Sequence, residues 1–85
     1  MQLQISGNNI ELTPALKKLI ESKLHTITHH YKKLLSVHIT LHVERTTCIA
    51  EAESHLPGAD IHAKATSFDM YESIETMFTT SPLTL

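Results

Sequence analysis

The sequence predicts an α+β fold: a β-α-β-β-β-α two-layer sandwich, with a four-stranded mixed sheet and two helices on one face. Three observations lead there. Four short segments alternate apolar and polar residues with a period of two. Two longer segments space their apolar residues by three and four. Each helical segment opens on a residue suited to capping.

The elements follow in order. From Gln2 to Ser6, Leu3 and Ile5 share one side and Gln2, Gln4 and Ser6 the other, which reads as a half-buried strand. Gly7-Asn8-Asn9 is turn chemistry. Thr13-Pro14 pairs an N-cap with proline at the first helical position. Leu16, Leu19, Ile20, Leu24, Ile27 and Tyr31 then form one apolar stripe, with Lys17, Lys18, Glu21, His25, Thr28, His29 and Lys32 opposite. Val37, Ile39, Leu41 and Val43 alternate with His38, Thr40, His42 and Glu44 in a second strand. Thr46-Thr47 connects it to a third, where Ala50, Ala52, Ser54 and Leu56 alternate with Glu51, Glu53 and His55. Pro57 to Asp60 reads as a turn. Ile61, Ala63 and Ala65 then alternate with His62, Lys64 and Thr66. Asp69 is placed to cap the second helix, with Glu72 three residues later as a capping-box partner. Tyr71, Ile74 and Phe78 recur at helical spacing.

A crossover through the first helix makes strands one and two parallel, whereas short turns make strands two to four an antiparallel meander. One sheet face is apolar and takes both helices. The other is read as entirely polar. Small residues at Ala50, Ala52, Ala63 and Ala65 let a helix lie close. After Phe78 the run Thr79-Thr80-Ser81-Pro82 opposes helix, so a single domain is expected over residues 1–78, with an irregular tail over 79–85.

Composition narrows the function classes. Eighty-five residues support one thin core, and with two Tyr, two Phe and no Trp that core is aliphatic. The lone Cys48 excludes an internal disulfide framework and fits a reducing compartment, so a cytoplasmic location is expected. No apolar run approaches a membrane span, and no membrane partner is expected. Gly7 and Gly58 are the only glycines, so there is no phosphate-binding loop. Cys48 lies in no catalytic motif and the acidic residues are scattered. Neither enzymatic activity, nor a cofactor, nor a small-molecule substrate is expected.

Charge is uneven. The net value is −2, yet between Pro14 and Lys33 five lysines (Lys17, Lys18, Lys23, Lys32, Lys33) oppose Glu21 alone, a local +4. From Thr46 onward Lys64 opposes six carboxylates, a local −5. A basic helix on a near-neutral chain is a candidate polyanion surface, and it is equally the solvated face of an ordinary helix. Seven histidines invite a metal reading. His38 and His42 lie about 13 Å apart along one strand, too far to share an ion, and His25 and His29 lack a third ligand. No metal site is expected.

The string Ile61-His62-Ala63-Lys64-Ala65, followed by Asp69-Met70-Tyr71 and Ile74, resembles the signature of the bacterial hibernation-promoting factor family, also called ribosome-associated inhibitors or ribosomal subunit interface proteins. The opening from Met1 to Thr13 resembles the family's first strand and helix entry. The likeness is to the short form of the family. It covers about residues 1–78, and the C-terminus is atypical: a Lys/Arg-rich continuation of the second helix, which the family has, is absent. The resemblance implies the same two-layer fold. It also implies binding to the small ribosomal subunit and its rRNA at the channel for mRNA and tRNA, and inhibition of translation in stationary phase. On that basis the rRNA-binding candidates are Lys17, Lys18, Lys23, Lys32 and Lys33, with His62 and Lys64 added from the motif. Without the basic continuation, weakened ribosome affinity is expected. The alternative reading is a homodimeric interaction module, built on apolar surface left near Leu3, Val43 or Leu56 by a short second helix.

Overall fold

A computed structural model describes residues 2–30 and 34–80, and the side chains of all of these except 27–30 and 80. The elements are β1 (Gln2–Asn8), α1 (Pro14–His30), β2 (Ser36–Glu44), β3 (Thr47–Leu56), β4 (Ala59–Ser67) and α2 (Met70–Thr80). The sheet order is β1-β2-β3-β4. β1 runs parallel to β2, with Leu3 opposite Val37 and Ile5 opposite Ile39. β2, β3 and β4 form the expected meander, with Ile39 opposite Ala52 and Ala52 opposite Ala63.

The period-two pattern converts directly into burial. Val37, Ile39 and Leu41 on β2 are closed to solvent, as are Leu16, Ile20 and Leu24 on α1 and Met70, Ile74, Met77 and Phe78 on α2. These residues form one cluster with Ala50, Ala52 and Ala65. α2 lies over β3 and β4, and Leu16, Ile20 and Leu24 bring α1 into the same core cluster as Val37, Ile39 and Leu41. Close approach of α2 depends on small side chains. Ser73 is fully buried on α2 and its hydroxyl donates to the Cys48 carbonyl at 2.7 Å.

Several local expectations are corrected. Ile49 sits on the face read as entirely polar, opposite His42 and Thr66, because β3 begins at Thr47 rather than Ala50. The β2–β3 loop is therefore the two residues Arg45-Thr46, with Arg45 left-handed at φ 57°. The β3–β4 loop is Pro57-Gly58, with Ala59 and Asp60 already in β4. Proline followed by glycine at φ 78° suits a type II turn. α2 also outlasts the expected boundary at residue 78. Thr79 and Thr80 are helical, and the Thr79 hydroxyl donates to the Glu75 carbonyl one turn back at 2.8 Å. The remainder of the expected tail, residues 81–85, lies outside the described residues.

Leu3, Val43 and Leu56, expected to offer apolar surface for a dimer, are instead half-buried against the core. The large apolar side chains exposed among the described residues are Leu35, Phe68 and Tyr71.

Candidate nucleic-acid interface

Helix α1 is built outward from its cap. The Thr13 hydroxyl accepts from the Leu16 amide at 3.2 Å, and the Thr13 carbonyl accepts from the Lys17 amide at 3.1 Å. That start fixes the phase of the helix: Leu16, Ile20 and Leu24 turn inward, and Lys17 and Lys18 stand exposed on the outside. Neither lysine has an ion-pair partner among the described residues. Lys23 lies at the edge of the buried stripe, where its ammonium is 4.0 Å from Glu75 on α2. The pair links the two helices at the surface, with the two side chains 42% and 58% exposed, so it adds little stability. Lys32 and Lys33 lie outside the described residues.

His62 and Lys64 are not brought to this surface. They point from β4 to the polar side of the sheet, while both helices occupy the other side. Each is also engaged there. Glu51 lies 3.8 Å from the Lys64 ammonium and 3.6 Å from His62 Nε2. The sequence-based candidates therefore divide into two groups separated by the thickness of the sheet. Period-two alternation makes that division, because moving one residue along a strand changes faces.

The entry to α2 is capped as expected, with one difference. Asp69 Oδ1 accepts from the Tyr71 amide at 3.1 Å and the Asp69 carbonyl accepts from Ser73 at 2.9 Å. The Asp69 amide, however, is met by the Ser67 hydroxyl at 3.4 Å rather than by Glu72. Met70, not Tyr71, occupies the buried position in the first turn, so Tyr71 is 45% exposed. Beside it Phe68 is 84% exposed, a residue that the sequence reading did not single out. The described part of α2 contributes Glu72 and Glu75 and no lysine or arginine. Any grip on a polyanion at the helical layer thus falls to α1.

The polar sheet face carries His38, His42, His55 and His62 among the carboxylates Glu44, Glu51, Glu53 and Asp60. The closest pairing is His55 Nδ1 to Asp60 Oδ1 at 2.8 Å, and Ser6 Oγ lies 3.0 Å from His38 Nε2. Among the described residues no three His, Cys, Asp or Glu side chains converge as metal ligands would. No described helix is long and apolar enough to cross a membrane.

A four-stranded sheet carrying both helices on one face, with exposed lysines on the outer side of the first helix, defines the architectural class. Comparison with known proteins makes it specific. Residues 3–80 match the family model described as sigma 54 modulation protein / S30EA ribosomal protein, and the chain belongs to that family. It is 40% identical over 75 residues to the ribosome hibernation promoting factor of Klebsiella oxytoca, covering 88% of this chain and 79% of that protein. The Escherichia coli K12 factor of the same name is 37% identical with the same coverage. Among solved structures, a ribosomal subunit interface protein from Coxiella burnetii superposes with a TM-score of 0.87 at 34% identity, covering 93% of this chain and 87% of that one. The N-terminal domain of Thermus thermophilus Protein Y shares the fold, with a TM-score of 0.83 at 23% identity over 93% of this chain and 89% of that one.

Proposed function

We propose that this protein is a ribosome hibernation factor that binds the small ribosomal subunit and silences translation. Relatives at 37–40% identity carry the name ribosome hibernation promoting factor, which supports a ribosome as the partner and the cytoplasm as the location. The finer reading is occupation of the mRNA and tRNA channel in stationary phase, with rRNA phosphates held by α1. It is supported chiefly by Lys17 and Lys18, which are exposed side by side, without an ion-pair partner among the described residues, on a helix fixed by its own cap. Lys23 extends the basic surface toward α2, and Lys32 and Lys33 continue the same sequence pattern. Inhibition is steric, and no catalytic step belongs to this reading.

The test is sedimentation of the protein with ribosomes over a range of salt concentrations. Association is expected at low salt and should fall as salt rises, because each phosphate contact releases counterions. Replacing Lys17 and Lys18 together with alanine should weaken association and reduce the log–log salt slope by about 1.8, or about 0.9 per lost contact. Absence of co-sedimentation at low salt, or an unchanged slope in the double variant, overturns the reading.

A further inference from the structure

On the sheet face opposite the helices, a cleft of about 530 Å³ opens across β1, β2 and β3. Two adjacent rows of the sheet line it. Gln2, Ser36 and His55 form one row and Gln4, His38 and Glu53 the other. Both imidazoles are held in place, His38 by Ser6 at 3.0 Å and His55 by Asp60 at 2.8 Å. Three of the four carboxylates on this face have a basic neighbour: Glu44 faces His42 at 3.9 Å, Glu51 faces Lys64 at 3.8 Å, and Asp60 faces His55. Glu53 is the exception. It has no hydrogen-bond or ion-pair partner among the described residues, although it stands between His38 and His62 in the register. A second cleft, of about 120 Å³, opens on its other flank and is lined by Glu53, His55, Asp60, Ile61 and His62. The one unpaired carboxylate of the face therefore stands in the wall between two clefts.

We propose that this cleft docks an arginine-bearing segment of a basic polypeptide, with Glu53 as the carboxylate that receives the guanidinium. Charge selects the class of partner. The face offers four carboxylates against Lys64, which disfavours a phosphate backbone and favours a cationic chain. Shape and hydrogen bonding select arginine over lysine. A guanidinium presents five donors in a planar fork, which a carboxylate can accept in pairs and which the Gln2 and Gln4 side-chain oxygens can supplement. The cleft is large enough for more than one side chain, and its polar lining suits a segment that stays partly wet. Because α1 faces the other way, the docked segment and a polyanion on α1 can be held together. Docking at this cleft does not depend on the proposed rRNA contacts.

The experiment uses the whole chain, isotopically labelled, titrated with an acetylated, amidated Gly-Arg-Gly-Arg-Gly peptide and followed by amide chemical shifts. Shifts should concentrate at residues 2–4, 36–38 and 53–55. Glu53→Gln, an exposed and nearly isosteric change, should weaken the peptide about tenfold, the scale of one charge-assisted hydrogen bond, while leaving ribosome sedimentation unchanged. A Gly-Lys-Gly-Lys-Gly peptide should bind more weakly than the arginine peptide. Equal affinity of the two peptides, unchanged affinity in Glu53→Gln, or perturbation of the same amides by oligouridylate instead would each overturn the proposal.

Discussion

Ile39 and Ile74 are wholly removed from solvent, one at the centre of the sheet and one on the helix above it. Truncating Ile74 to alanine should cost about 2–5 kcal/mol, read as a lower urea midpoint at unchanged m-value. The two glycines separate two physical effects. A Cβ on Gly58 would meet nothing within 4 Å, so Gly58→Ala isolates the cost of φ 78°, about 1–2 kcal/mol. A Cβ on Gly7 would lie 3.0 Å from the Ile10 carbonyl oxygen and 3.1 Å from Leu12, so Gly7→Ala is destabilising through crowding. Differential scanning calorimetry should register both. The caps at Thr13 and Asp69 were legible because capping is a local event, decided within four residues of chain. The burial of Met70 in place of Tyr71 was not. Both residues extend an apolar series through Ile74 and Phe78, and only the direction in which the chain leaves β4 selects between them.

Among the elements, the inner strands were the plainest, since β2 alternates over its whole length and is paired on both sides from Ser36 to His42. Amides of β2 and β3 should accordingly exchange most slowly with deuterium, and those of β1 and β4 should open sooner from the sheet edges. Strand ends were harder. The start of β3 at Thr47 is hidden because a two-residue loop with a left-handed arginine carries none of the usual Asn-Gly or Asp-Gly chemistry. The end of α2 is hard to read from sequence for a related reason. Threonine is a poor helix former, but Thr79 bonds its hydroxyl to the preceding turn, and Met77 and Phe78 are anchored in the core. Removing the Asp69 carboxylate should destabilise α2 by about 0.5–2 kcal/mol, measurable as lost helical circular dichroism at a lower temperature.

At the scale of the whole molecule, the exposed Lys17 and Lys18 lie on the opposite side of the sheet from the cluster of carboxylates and imidazoles. On the helical layer Lys23 meets Glu75, while four carboxylates and four imidazoles share the sheet surface behind it. Composition reported only a net of −2 and concealed this arrangement, which arises from topology. The placement of His62 and Lys64 away from α1 was legible in the alternation of β4, since the face that takes both helices is the one shared by Ile61, Ala63 and Ala65. Lys64→Ala should therefore reduce ribosome co-sedimentation less than Lys17→Ala, a comparison that one salt series can make. The parallel pairing of β1 has a consequence for biosynthesis. Residues 2–8 leave the ribosome well before Ser36–His42, the segment that supplies their hydrogen bonds. At ordinary elongation speeds the opening ribbon waits roughly two to seven seconds for its mate. A stall in that interval would leave an unsatisfied strand edge available to any neighbouring chain, so the first residues synthesised stay unpaired until the chain has reached His42.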